Sequence, residues 1–228
     1  IVTDITDPYD ANRVVLDWHS TEEPLIVNLF ERGHTYRLQE TEGPDGYYVA
    51  EDKVFQVPEY GDGGTITVTC EDGHIIYKII KSDGQGNPVV NAELTLYEKD
   101  GDTEKKIKSF LSKEEPEIIY GLKNNTDYVV KETSVPTGYY PAQDQSFHVN
   151  KMGSAVPIEI QMKDEPIHAQ IKKTDLNGNR MAGAVLSLQD ETTVSEIGTW
   201  TSEEDKDIEI GQLLKTGHTY TLKELSAP

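Results

Sequence analysis

The sequence predicts an all-β chain built from tandem β-sandwich repeats, and three observations lead there. Apolar and polar residues alternate in many short runs, the pattern of strands with one face buried. The runs are punctuated by Gly, Pro, Asn and Asp, and helical periodicity is poor throughout. One alternating motif also returns at a constant spacing of 92 residues: Tyr36-Arg37-Leu38-Gln39-Glu40, Tyr128-Val129-Val130-Lys131-Glu132 and Tyr220-Thr221-Leu222-Lys223-Glu224. A period of 20–50 residues would indicate a solenoid, whereas this one has the length of a whole small domain.

Other features keep the register. Lys81 and Lys173, Ala92 and Ala184, and Asp72 and Asp164 are each one period apart. Residues 1–73 therefore read as the later part of a first repeat, with Ile1-Val2-Thr3 matching the second strand of the unit. Trp18 aligns with Trp200, and Gly33-His34-Thr35-Tyr36 returns as Gly217-His218-Thr219-Tyr220. Residues 74–165 form a complete repeat, with strands expected near 75–82, 92–98, 106–112, 116–120, 127–133, 145–150 and 156–164. Residues 166–228 begin a third repeat that stops at its glutamate strand, so both ends read as cuts in a longer array.

Composition narrows the function. The formal net charge is −20, with 41 Asp+Glu against 21 Lys+Arg, which disfavours a nucleic-acid backbone and an anionic membrane surface as partners. Cys70 is the only cysteine, so no intramolecular disulfide can form. No apolar run has the length of a membrane span.

The turns at 83–87 and 175–179 carry Asp and Asn like calcium loops but lack the acidic spacing and closing glutamate of one, so a turn built from residues tolerant of positive φ is favoured. Asp4, Asp7 and Asp10 read as a solvated acidic loop, and His19, His34, His74, His148, His168 and His218 show no ligand-like spacing. His34 and His218 recur beside the turn before the glutamate strand, which is assigned to turn structure. No metal and no cofactor are expected.

The chemistry lies in ionisable residues on apolar strand faces. Side chains at i, i+2 and i+4 share a face. Tyr77, Ile79 and Lys81 therefore look inward together, as do Tyr128, Val130 and Glu132, and Ile158, Ile160, Met162 and Asp164. The third repeat offers Ala169, Ile171 and Lys173 with Glu224, and the first offers Ile66, Val68, Cys70 and Asp72 with Glu40. Burial disfavours the charged forms of such groups, lowering an amine pKa and raising a carboxyl pKa. A neutral lysine amine beside a protonated carboxyl can attack it, with a glutamate moving the protons. The competing reading is a buried salt bridge, or charges that reach the rim.

These residues are similar to a known family. Lys-(Ser/Thr)-Asp opening a domain, then Ala-x-Leu-x-Leu, then Tyr-x-Leu-x-Glu-Thr-x-x-Pro-x-Gly-Tyr, resembles the Cna-B-type repeats of Gram-positive surface adhesins and pilins, and the Tyr-to-Tyr stretch resembles their E-box. The resemblance implies a prealbumin-like, inverse immunoglobulin β-sandwich of about seven strands and a self-generated Lys–Asn/Asp isopeptide bond promoted by the E-box glutamate. Carried over, Lys81 bonds Asp164 with Glu132 as promoter. Lys173 and Glu224 belong to a third site whose acceptor lies beyond Pro228, and Glu40 and Asp72 to a first whose lysine precedes Ile1. The chain departs from the family pattern at Val130 and at Ser134-Val135, and in carrying aspartate where many members carry asparagine. Asn150 is a rival acceptor, but Pro58, near its counterpart in the first repeat, carries no side-chain amide.

The expected function is a structural stalk of an extracellular, wall-attached adhesin or pilus-like protein, with neighbouring repeats as partners and a host protein or glycan engaged through another region. The alternative is a ligand-binding tip module, for which the pairs Tyr47-Tyr48 and Tyr139-Tyr140 are the candidate aromatic patches. A turnover enzyme is disfavoured, because no nucleotide loop, metal cluster or serine elbow is present.

Overall fold

The computed structural model describes residues 1–9, 13–61, 63–150 and 156–228. Its strands are β1 (Val2–Asp4), β2 (Arg13–Leu16), β3 (Thr35–Leu38), β4 (Tyr47–Tyr48), β5 (Lys53–Gln56) and β6 (Gly73–His74), then β7 (Tyr77–Asp83), β8 (Glu93–Asp100), β9 (Thr103–Leu111), β10 (Glu117–Ile119), β11 (Thr126–Ser134), β12 (Tyr139–Tyr140), β13 (Gln145–Val149) and β14 (Ile158–Pro166), and last β15 (Gln170–Ile171), β16 (Val185–Asp190), β17 (Ser195–Thr201), β18 (Ile208–Glu209) and β19 (Tyr220–Ser226). Among the described residues the only helical element is a single 3-10 turn at Gly211–Leu213. The chain is all-β in several sheets, as its alternation requires.

Contacts group the chain into two units. One comprises Ile1–Tyr77, Ile119–Thr126 and His148–Ile158, the other Lys78–Ile118, Asp127–Phe147 and Glu159–Pro228.

The second unit carries a sandwich of two four-stranded sheets, in the orders β10-β7-β14-β12 and β13-β11-β8-β9. β7 and β14 are therefore neighbours although they open and close the 90-residue stretch from Tyr77 to Pro166. β8 is the central partner of the other sheet, antiparallel to β9 and to β11, with Leu96 opposite Val130 and Glu98 opposite Tyr128. Leu94, Leu96, Tyr128, Val130, Tyr77, Ile79 and Met162 are all buried and form the core. Their alternation puts them on the inner faces, and each such side chain contributes about 1.5–3 kcal/mol relative to exposure.

The same unit holds the sheets β17-β16-β19 and β15-β18. Ile171, Leu186, Leu188 and Ile210 form their buried cluster, with Trp200 and Tyr220 packed against it. The register of β16 with β19 repeats that of β8 with β11, Leu188 facing Leu222 and Asp190 facing Tyr220.

In the first unit β1 lies between β2 and β3, in a sheet of order β2-β1-β3-β5. Val2 faces Leu38 and Asp4 faces Tyr36, so β1 occupies the place of β8 and β16. Tyr36 is buried, stacks on Phe55 and packs tilted against Phe30.

Ile66-Asp72 form no strand among the described residues, and Ile66, Cys70 and Asp72 are exposed. Alternation alone does not make a strand, because the ladder also needs a partner backbone, and no described strand pairs with this segment. Asp4 does not belong to a solvated loop; it is a buried member of β1. Asp7 is exposed and accepts the Tyr9 N–H at 2.8 Å, while Asp10 lies outside the described residues. The short strand β12 had no counterpart in the expected strand set.

Candidate functional site

Three strands deliver three ionisable side chains to one place. β7 ends its inward row Tyr77, Ile79 with Lys81, and β14 ends the row Ile160, Met162 with Asp164. β11, in the facing sheet, contributes Glu132 two residues beyond the buried Val130. Lys81 Nζ lies against Asp164 Oδ1 and stands 3.2 Å from Glu132 Oε2. The three side chains are 1% exposed or less.

A backbone group fixes the glutamate. The Ala142 N–H, in the loop between β12 and β13, donates to Glu132 Oε2 at 2.7 Å. Sequence reasoning missed this donor because an N–H carries no residue signature. Its signal was the recurrence of an alanine ten residues after the glutamate, Ala50 after Glu40 and Ala142 after Glu132.

The cluster holds one cation and two carboxyls away from water, which is costly unless one carboxyl keeps its proton. Burial pushes the Glu132 carboxyl up to about 7. The Ala142 hydrogen bond and the Lys81 charge oppose that rise, and the charge and hydrogen bond of Asp164 add to it. Glu132 Oε1 and Asp164 Oδ2 are the two buried oxygens of the site that no N–H or O–H donor reaches. One proton between the carboxyls supplies a donor for both. The arrangement can present a carboxylic acid to an amine, with a second carboxyl positioned to take and return protons.

The two partial sites keep part of this geometry. Ala50 N–H donates to Glu40 Oε2 at 2.7 Å, matching the Ala142–Glu132 bond. Burial raises the Glu40 carboxyl, and a hydrogen bond to Asp72 raises it further. Asp72 is exposed on the unpaired segment described above. Lys173 Nζ lies 3.3 Å from Glu224 Oε2, with side chains 23% and 38% exposed. β15 stops at Ile171, so Lys173 falls beyond the strand expected to carry it.

Two further carboxylates lay hidden in the sequence. Asp4 Oδ2 pairs with His34 Nδ1 at 2.8 Å and with Arg13, and Asp190 Oδ2 pairs with His218 Nδ1 at 2.6 Å. Burial alone would raise Asp190; the bonds from His218 and from the Thr192 and Thr193 N–H groups outweigh it and bring it to about 2. Burial likewise opposes, and bonds from Thr6, His34 and Arg13 overcome, for Asp4, which lies well below the carboxylate range. Recurrence of His34 and His218 thus marks a tie to the central strand as well as a turn. The calcium-like turns close on themselves: Asp83 accepts from the Gln85 and Asn87 N–H groups and the Asn87 side chain, and Asp175 from Asn177 and Asn179 in the same pattern.

The family model described as SpaA, prealbumin-like fold domain, matches residues 76–166 and 168–228. A comparison with curated proteins finds no match. Among solved structures, the chain is similar to the Bacillus anthracis TIE protein at 22% identity and a TM-score of 0.41, covering 85% of this chain and 36% of that one. The chain thus spans about a third of that protein. It is similar to a streptococcal ancillary pilin at 13% identity and a TM-score of 0.37, covering 87% and 68%. It is also similar to the shaft pilin SpaA from Lactobacillus rhamnosus GG at 11% identity and a TM-score of 0.36, covering 68% and 88%.

Proposed function

The chain belongs to the SpaA prealbumin-like fold domain family, and from that premise we propose that it is a stretch of structural stalk from a cell-surface adhesin or pilus-like protein, stiffened by a Lys81–Asp164 isopeptide bond. On this reading, 74–165 is one complete repeat, flanked by the later part of one repeat in 1–73 and the beginning of another in 166–228.

The observation that carries the reading is the contact of Lys81, Glu132 and Asp164 in a site closed to water. The neutral Lys81 amine attacks the Asp164 carboxyl carbon, the new C–N bond forms, and the carboxyl C–O bond breaks. One amine proton and the carboxyl hydroxyl leave together as one water. Glu132 takes a proton from the attacking nitrogen and returns one to the departing oxygen. The neutral amide removes a buried cation and a buried carboxylate, so the product is better suited to the core than the reactants. Holding the groups in contact supplies the effective concentration that amide formation lacks in solution.

A bond between β7 and β14 ties the first strand of the repeat to its last. Tension that enters at one and leaves at the other then runs through the covalent link. It also replaces the disulfides that a chain with one cysteine cannot form. Glu40 with Asp72, and Lys173 with Glu224, are assigned as the corresponding promoters and bonding residues of the flanking repeats. The reading places the protein outside the cell, with neighbouring repeats as its partners and host ligands engaged elsewhere.

The test is the intact mass of the folded chain. It is expected to fall below the sequence mass by one water, and Lys81→Ala and Asp164→Ala should each restore the full value. A folded wild-type chain at full sequence mass would refute the bond.

A further inference from the structure

The motif that follows each glutamate strand, Pro-x-Gly-Tyr, makes contacts that the crosslinking reading does not use. It occurs as Pro44-Asp45-Gly46-Tyr47 and Pro136-Thr137-Gly138-Tyr139. Each copy lies against a loop that belongs to the next period of the sequence, and each junction lies wholly within one of the two units.

At the second copy, the Gly138 N–H donates to Leu214 O at 2.8 Å, and Gly138 O accepts the Ile167 N–H at 2.8 Å. Thr216 Oγ1 donates to Tyr139 O at 2.8 Å. Gly138 has φ +93, and a Cβ there would stand 3.1 Å from Gln212 Cα and 3.2 Å from Gln212 O. The turn thus requires glycine twice over, for its backbone conformation and for the approach of the neighbouring backbone.

The first copy repeats the pattern. Gly46 O accepts the Ile75 N–H at 2.8 Å, and Ile75 and Ile167 are one period apart. Asn124 donates its N–H to Asp45 Oδ1 at 2.9 Å and its side-chain amide to Pro44 O at 3.2 Å. Asn124 and Thr216 are also one period apart. Gly46 has φ +82, and a Cβ there would stand 2.5 Å from Gly121 Cα. The pairing of Tyr47 with His74 matches that of Tyr139 with Pro166. His74 lies between the rings of Tyr47 and Tyr120, with centroids at 4.2 and 5.7 Å.

We propose that the Pro-x-Gly-Tyr turn is a docking element by which each repeat clamps the next, its partner being the loop before the next glutamate strand, at 121–124 and 212–216. Two junctions with different side chains share the glycine, the backbone acceptor and the position of the polar donor. Chance packing of a flexible linker would not reproduce that register. The clamp uses mainly backbone groups, so it tolerates the exchange of asparagine for threonine at the donor position. It makes the joint between repeats an ordered part of the stalk, independent of whether the lysine–aspartate bond has formed.

The proposal is tested on the 228-residue chain by residual dipolar couplings in a weakly aligning medium. In the wild type, amides of 78–118 and 127–147 and those of 170–226 should fit one alignment tensor. Gly138→Val places a branched side chain against Gln212, and Thr216→Val removes only the side-chain donor. Both should abolish the single fit, while the amide spectrum within each half stays dispersed. Gly86→Val is the control, since Gly86 has φ +90 and open space around it and carries the conformational cost without touching the joint; it should keep one tensor. Two independent tensors in the wild type, or a single tensor retained in Thr216→Val together with Gly138→Val, would overturn the proposal.

Discussion

Lys81 Nζ and Glu132 Oε2 stand 3.2 Å apart with both side chains closed to water, whereas Lys173 and Glu224, one period later, hold 3.3 Å with both side chains partly exposed. The distance is shared and the solvent is not. That contrast decides what each pair is worth, because a charge pair in water is screened and one in the core must be neutralised or satisfied.

Glu132→Gln keeps an oxygen for the Ala142 N–H but cannot carry a proton to and fro. Bond formation after refolding should slow by about 10²–10⁴-fold, the usual contribution of a positioned acid–base group. Intact mass followed over time reads the rate directly. A rate equal to that of the wild type would remove Glu132 from the mechanism.

The bond, once formed, closes a loop from residue 81 to residue 164, so it restricts the unfolded chain strongly. By analogy with disulfides this stabilises the domain by about 4–5 kcal/mol, and at about 4–8 °C per kcal/mol the melting temperature of Glu132→Gln should fall by roughly 15–40 °C. Calorimetry on protein of verified mass checks it. Equal melting of crosslinked and uncrosslinked protein would argue against a stabilising bond.

Lys81→Met cannot crosslink and exposes the titration of the carboxyls. Glu132 holds its proton to about 7 in the folded protein against 4.5 when unfolded. The folded state therefore binds the extra proton between those values, and stability must decline as pH rises through that window, being fully present below it. That difference corresponds to on the order of 3 kcal/mol. Removing the lysine charge, which lowers the Glu132 pKa, extends the window upward. Urea unfolding from pH 4 to 8 measures the slope, and a flat or rising profile would contradict a protonated glutamate.

Asp190 behaves in the opposite sense. Its carboxyl is brought down to about 2 from 3.8, so its contribution is present above 3.8 and is lost as pH falls toward 2. Asp190→Asn should flatten this part of the acid limb for residues 170–226, as read by amide exchange. An unchanged acid limb would mean that the His218 pairing carries no stability.

Lys173→Ala should change stability by less than about 1 kcal/mol, the range of solvent-exposed ion pairs. The measurement is urea unfolding of the 228-residue chain, followed by Trp200 fluorescence with Trp18 replaced by Phe. A loss of several kcal/mol would place Lys173 in a buried site.

Much of the fold was legible in the sequence because strand faces and the apolar–polar alternation of these segments share a period of two. Tyr77, Ile79 and Lys81, or Tyr128 and Val130 ahead of Glu132, could be assigned to one face without coordinates. The 92-residue recurrence then marked which polar residues stand where apolar ones are usual. What alternation could not supply was a partner: Ile66-Asp72 has the pattern of β14 and forms no strand, because ladder hydrogen bonds are made by another backbone and not by the segment itself. Asp4 was misread for the same reason, since its His34 and Arg13 partners are brought to it by β3 and β2.

By itself, then, the sequence determined the all-β class, the repeat length and the three residue types at the centre of the sandwich. Only the tertiary structure decided that the Glu132 carboxyl is pushed upward, because that depends on water being excluded by two sheets and on Asp164 standing beside it, effects that outweigh the opposing N–H of Ala142 and the Lys81 charge. It also decided that Gly46 and Gly138 meet the following period. Beyond the positive φ of each turn, the need for glycine there comes from a neighbouring backbone about 75 residues further along the chain, at Gly121 and Gln212, and nothing local to either turn encodes that approach.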